Sequence, residues 1–317
     1  MPSVHTPTKG IAPGKFQGDT PQWNVATGEY VPSQLPQSSV ISKKGDIYVF
    51  NTTLNQFVPL SQAPEPAGAL MKYDVSSFAA QADGTLITTW PDLSGNGFDL
   101  SNAGGAQRPT YKTNPLGDAV PAVRGDGVDD RLFRTGMPAV NSQELVVFVV
   151  MTAGRPVAAV EPWALGRAAV VDNAQGCTQG SIGPQFNWKV GCLAGNNLGG
   201  NTLRSVGSTS LDEGNANDVG NNIRRAYAFR WGVRTGPSGS FWGVTCYAGT
   251  RIVAVDLVAA PANPFTFTRC GLFAAADGAS NWAPCDINHW KCYIPNTLDD
   301  IDIMLELARL RVLHQAW

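Results

Sequence analysis

Glu144-Leu145-Val146-Val147-Phe148-Val149-Val150-Met151 is the stretch on which the fold turns. Leu145 to Met151 is the longest uninterrupted apolar run in the chain, far short of the roughly 20 residues that a membrane-spanning helix needs. It is dense in β-branched side chains and has no polar alternation. That combination predicts a central strand covered on both faces. Further strands surround it. Arg225 to Trp231 alternates, with Tyr227, Phe229 and Trp231 on one face. Phe241–Tyr247 and Arg251–Val258 flank the turn Ala248-Gly249-Thr250. Phe265–Phe273 and His289–Ile294 follow.

Composition agrees. Among 317 residues only 15% are charged and 43% are hydrophobic, with 34 Gly and 22 Pro. Ordinary soluble chains carry about 25% charge. Low charge with abundant turn residues suits strands joined by tight turns rather than a helical bundle. The formal net charge of −2 leaves no electrostatic footprint for nucleic acid. Met1-Pro2-Ser3-Val4-His5 shows no basic region followed by an apolar stretch, so no signal peptide and no membrane insertion are expected.

The first 17 residues, with Pro2, Pro7 and Pro13, are expected to be an extended arm. Residues 18–62 repeat with a period of 27. Trp23…Gly28…Tyr30…Pro32 aligns with Phe50…Asn55…Phe57…Pro59. Gly28 and Asn55 tolerate positive φ, so each unit reads as a small hairpin carrying an aromatic pair, Trp23 with Tyr30 and Phe50 with Phe57. Isolated hairpins of this size are marginal, so the module is expected to dock or assemble through these four residues. Residues 63–68 read as a Pro-containing linker, and residues 69–317 as the main domain. That domain closes with a helix. Thr297 is its expected cap with Asp300 at the capping-box position, and Leu298, Ile301, Leu305, Ala308 and Val312 are its expected core face.

Leu70 to about Phe133 carries an ordered set of motifs. They are Tyr73-Asp74, Trp90-Pro91-Asp92-Leu93-Ser94-Gly95-Asn96-Gly97, Arg108-Pro109-Thr110-Tyr111 and Asp126-Gly127-Val128-Asp129-Asp130. This set resembles the opening of concanavalin A-like (LamG or pentraxin-type) jelly-roll domains of bacteriophage virion proteins and bacterial surface proteins. Leu298-Asp299-Asp300 is similar to the opening of their closing helix. The resemblance implies a mostly β fold: an antiparallel jelly-roll sandwich with a C-terminal α-helix, preceded here by the hairpin repeat. Arg124-Gly125 departs from the family, which usually has a large apolar residue before Asp126-Gly127.

Candidate chemistry is sparse. The chain has six Glu, none close to another in sequence, so the paired carboxylates of a glycosidase are missing. Gly236-Pro237-Ser238-Gly239-Ser240 is not a nucleophile elbow, and no enzyme activity is expected. Asp126, Asp129 and Asp130 could ligate calcium, as some relatives do, or could bond neighbouring amides. No other cofactor is expected. Of the six cysteines, Cys285 and Cys292 flank His289 in the best zinc candidate, which lacks a second well-spaced pair. Trp163, Trp188 and Trp282, with Asn187, Asn281 and Asp286 as polar partners, could form a sugar platform; alternatively the tryptophans plug the core.

The reading that joins these features is a non-enzymatic virion protein, made in a host cytoplasm. It would be a capsid decoration or head-fibre protein held by its N-terminal region to other virion proteins, and homo-oligomeric, with trimers common among such fibres. The alternatives are a tail-fibre or baseplate protein that recognises host surface glycan, and a bacterial surface lectin.

Overall fold

A computed structural model describes residues 20–24, 29–33, 48–51, 56–59, 64–102, 104–138, 140–142, 144–153, 163–166, 189–192, 201–204, 211–212, 223–236, 239–248, 251–258, 265–274 and 284–316. The chain divides into two units, Met1–Pro64 and Glu65–Trp317. In the first, β1 (Thr20–Asn24) pairs with β2 (Glu29–Ser33), and β3 (Tyr48–Asn51) pairs with β4 (Gln56–Pro59), both antiparallel. Trp23 falls opposite Tyr30 and Phe50 opposite Phe57.

The second unit begins with β5 (Met71–Asp74), a 3-10 turn (Val75–Phe78), β6 (Thr89–Trp90), β7 (Leu100–Ser101), β8 (Thr110–Lys112), β9 (Ala122–Arg124) and β10 (Leu132–Arg134). There follow β11 (Val140–Ser142), β12 (Leu145–Ala153), β13 (Trp163–Gly166), β14 (Lys189–Cys192), β15 (Asn201–Arg204), β16 (Leu211–Asp212), β17 (Arg224–Gly236), β18 (Gly239–Ala248) and β19 (Arg251–Val258). The chain ends with β20 (Phe265–Phe267), β21 (Arg269–Leu272), β22 (Cys285–Tyr293) and α1 (Asp300–Leu313). An eight-stranded antiparallel sheet runs β19-β18-β17-β12-β22-β9-β8, with β5 also on β22. A five-stranded sheet runs β13-β21-β10-β7-β6. The class is a mostly β sandwich with one C-terminal helix.

The sandwich follows from side-chain alternation. Leu145, Val147, Val149 and Met151 of β12 share a core with Trp90, Leu132, Trp163 and Leu272 of the smaller sheet. Tyr227, Phe229 and Trp231 point into the same core, as their spacing predicts. Val146, Phe148 and Val150 lie on the opposite face under Ile303, Leu307 and Leu310 of α1. β12 is therefore covered on both sides, by a sheet on one and a helix on the other.

The Trp90–Gly97 motif staples this frame together. Asp92 Oδ1 accepts from the Lys72 and Ser94 amides, both at 2.9 Å, and Oδ2 accepts from the Phe98 amide at 3.0 Å. The buried Trp90 ring donates to the Asp74 carbonyl at 3.1 Å. Gly95 and Gly97 take φ of 89° and 74°, the left-handed turn that this staple requires.

Two expectations for the helix need correction. Its cap is Asp299 rather than Thr297, with Asp302 completing the capping box. Its buried face comprises Ile303, Glu306, Leu307, Arg309 and Leu310, while Ile301, Leu305 and Val312 are exposed at 69%, 45% and 48%. The helix has two apolar stripes, and ion pairing selects between them. Lys291 of β22 is fully buried, and its ammonium bonds to Glu306 and, at 2.9 Å, to Glu65. Arg309 is bidentate on Glu306 at 2.7 and 2.6 Å. Burial pulls the Lys291 ammonium down, and Glu306 and Glu65 oppose it. Presenting Ile301 and Leu305 to the sheet instead would leave Lys291 buried without Glu306, a cost several stacked Leu contacts cannot recover. Glu65, expected in a linker, is thus half-buried and paired to this unit.

Truncating Glu306 should expose the same preference. Glu306→Ala is expected to lower unfolding free energy by about 3–5 kcal/mol, whereas Lys291→Met combined with Glu306→Leu should cost less than about 1 kcal/mol. Urea denaturation of the three proteins measures both.

Candidate functional site

The sugar-platform residues separate once placed. Trp163 opens β13 and is 1% exposed, its ring 5.5 Å from Phe229 and 6.3 Å from Trp290. It plugs the sandwich core and offers no exposed face, because the small sheet needs a large apolar anchor there. Asp286 is also buried, bidentate with Arg124 at 2.7 and 2.9 Å. It is committed to that pair and is not free to bind a sugar. The pair also accounts for the polar residue at position 124, where β9 ends against β22. Asn187, Trp188, Asn281 and Trp282 lie outside the described residues.

The Asp126–Asp130 loop is built around one carboxylate. Asp126 Oδ1 accepts from the amides of Val128 at 2.8 Å and Asp129 at 3.2 Å, and Asp130 Oδ2 accepts from the Asp126 amide at 2.9 Å. Gly127 holds φ of 78°, and a Cβ there would lie 2.8 Å from Pro284 carbons, so only glycine fits. One carboxylate oxygen from each of Asp126, Asp129 and Asp130 lies within 4.8 Å of the others. The spacing would admit calcium, and the amide bonds account for the arrangement without it. Burial, reinforced by the Asp126 and Asp129 charges, pushes the Asp130 carboxyl up to about 6.

The Cys285, His289, Cys292 grouping does not form. β22 is regular against β12 except between Val150 and Met151, where Val150 faces His289 and Met151 faces Ile287. Asn288 is the extra residue of a β-bulge. Cys285 and Ile287 point into the sandwich core before the bulge, and Trp290 and Cys292 do so after it. His289 is thereby turned away from both thiols. Cys270, Cys285 and Cys292 are free and buried.

The bulge brings His289 to a cluster that spacing did not suggest. His289 Nδ1 lies 2.7 Å from Asp74 Oδ2, and His314 Nε2 lies 3.4 Å from the same oxygen. The two imidazoles are 5.5 Å apart, centre to centre. Asp74 is held from its other oxygen, Oδ1, by the Ser76 amide at 2.8 Å. His314 is the C-cap of α1, and its carbonyl accepts from buried Arg224 at 3.1 Å. Arg224 in turn pairs with Asp118. The cluster opens into a cavity of about 490 Å³ lined also by Lys72, Val120, Arg309 and Leu313. Burial pulls His289 down to about 4 despite the Asp74 carboxylate. The only sequence hint was that histidine is so scarce, at three in the whole chain.

No family model matches the chain, and no curated protein matches it. Among solved structures, it is similar to the binding domain of Paraclostridial Mosquitocidal Protein 1 at 9% identity and a TM-score of 0.48, over 78% of this chain and 52% of that one. It is similar to Trypanosoma rangeli sialidase at 10% identity and 0.48, over 79% and 34%. Domain 4 of a GH43 extracellular arabinanase from Geobacillus stearothermophilus gives 16% and 0.41, over 77% and 100%. The chain spans about half of the first and a third of the second. Likenesses this distant transfer neither ligand nor activity.

Asp130 gives a pH signature. Its folded carboxyl titrates above the ordinary value near 4, so the stability it contributes is present below about pH 4 and is lost as pH rises through about 6. Asp130→Asn should remove that loss and make the protein more stable than wild type by about 1–2 kcal/mol near neutral pH. Urea denaturation followed from acid to mildly alkaline pH would show the two curves converging below about pH 4.

Proposed function

We propose that this chain is a non-enzymatic structural protein of a bacteriophage virion, a capsid decoration or head-fibre protein. Its first 64 residues attach it to other virion proteins, and its sandwich is displayed. The observation that carries this reading is the separate unit Met1–Pro64, whose described sheets are two hairpins of two strands each. Two-stranded ribbons are marginal alone and gain stability by packing on another surface. The repeated aromatic register, Trp23 with Tyr30 and Phe50 with Phe57, suits one surface offering the same contact twice.

Two further features support a structural role. Asp118, Asp286, Glu65 and Glu306 are each engaged by Arg or Lys in ion pairs that hold strands and helix together. The outward stripe Ile301, Leu305 and Val312 supports a homo-oligomer, such as a trimer, in which this face packs on a copy. No helix among the described residues is long and apolar enough to cross a membrane.

Cryo-electron microscopy of particles carrying the full chain tests the reading. Density on the capsid lattice for wild type, with occupancy falling several-fold in a Trp23→Ala/Phe57→Ala variant, is the expected result. Unchanged occupancy would refute attachment through the hairpins. Density at the tail tip, together with glycan binding lost in Trp188→Ala and Trp282→Ala, would instead support receptor recognition. Leu305→Glu should lower the oligomeric mass in light scattering without unfolding the sandwich.

A further inference from the structure

Two of the chain's three histidines, 25 residues apart, meet at one carboxylate. His289 comes from β22, His314 from the end of the helix and Asp74 from β5, the strand leading into the 3-10 turn. One ligand atom from each lies within 4.8 Å of the other two. Hydrogen bonding accounts for only part of this convergence. Asp74 Oδ2 serves both rings at once, and buried His289 keeps its Nε2 with no partner among the described residues. A buried imidazole with one bare nitrogen is an expensive way to close a core.

We propose that Asp74, His289 and His314 form a binding site for a divalent transition-metal cation of the zinc class. Two imidazoles and one carboxylate are a ligand set that such ions accept, with three protein ligands and a further position left open. All three residues line the 490 Å³ cavity. Lys72 and Arg309 also line that cavity, but Glu65 and Glu306 pair with them, so they do not repel a cation strongly. The C-terminal end of α1, where His314 sits, favours positive charge. The ligand shell is tied in place. The Ser76 amide holds Asp74, Arg224 holds the His314 carbonyl, and β22 fixes His289 between β12 and β5. An ion here would join the helix end to both strands.

Full-length protein stripped with chelator, then titrated calorimetrically with zinc chloride and separately with cobalt chloride, tests the site. The expected result is one ion per folded chain. Visible ligand-field bands should appear with cobalt, without the near-ultraviolet charge transfer that marks thiolate ligands. Ring resonances of His289 and His314 should shift in NMR while those of His5 stay put. Losing even an outer partner of a metal ligand costs about 10–100-fold in affinity, so Asp74→Asn and His314→Gln should each weaken binding by at least about tenfold. Near-ultraviolet circular dichroism checks that each variant remains folded. No saturable binding by wild type would overturn the proposal. So would equal binding by folded Asp74→Asn and His314→Gln, thiolate charge transfer, or shifts confined to His5.

Discussion

A lysine ammonium buried between the large sheet and the closing helix is the constraint that the rest of the second unit obeys. Lys291 sits on β22, between β12 and β5, on the face that the helix covers. Two carboxylates surround its charge, Glu306 from α1 and Glu65 from the start of the unit, and it lies 5.2 Å from the Phe148 ring centre and 5.6 Å from that of Tyr293. Burial pushes the Glu65 carboxyl up, but the Lys291 charge and hydrogen bonds from Lys72 and Lys291 outweigh it and hold it at about 2. An unpaired buried charge costs far more than one misplaced apolar contact. The network therefore decides which face of α1 turns inward and ties Glu65 to β22.

A single extra residue in β22 gives this face its other properties. The bulge at Asn288 reverses the alternation, so that His289, Lys291 and Tyr293 share the helix side while Trp290 and Cys292 fill the sandwich. Asn288 Nδ2 donates to the Pro121 carbonyl at 2.6 Å, which pins the bulge against the segment before β9. Without it, period-two alternation would put His289 on the same face as Cys285, among apolar side chains. The polar chemistry of the domain and its apolar core are thus separated by one backbone irregularity.

These two facts explain what could be read in advance. β12 and the aromatic face of β17 were legible because alternation and apolar density are local properties. The aromatic pairs across the two hairpins followed from repeat spacing, while Gly28 and Asn55 lie outside the described residues. The inward face of α1 was not legible. Ile301, Leu305 and Val312 repeat at helical spacing as well as Ile303, Leu307 and Leu310 do, and the deciding partner lies on another element. The Asp74, His289 and His314 cluster was hidden twice, by long separation and by a bulge that no local pattern announces. Of the two readings open for Trp163, sugar platform or core plug, the core plug holds, because the small sheet needed its ring.

The same network bears on how a displayed domain would carry load. Glu65 is the first residue of the sandwich unit. It is fastened by Lys291 and Lys72, and the next residue's carbonyl accepts from the Tyr293 hydroxyl at 2.7 Å. A pull transmitted along the backbone at Pro64 would meet these contacts first. Lys72 lies on β5, and Lys291 and Tyr293 on β22, the strand paired with β12 on one side and with β5 and β9 on the other. Strands at the middle of a sheet are the last to open in local unfolding. The entry of the chain into the sandwich is thus fastened to its best-supported strand.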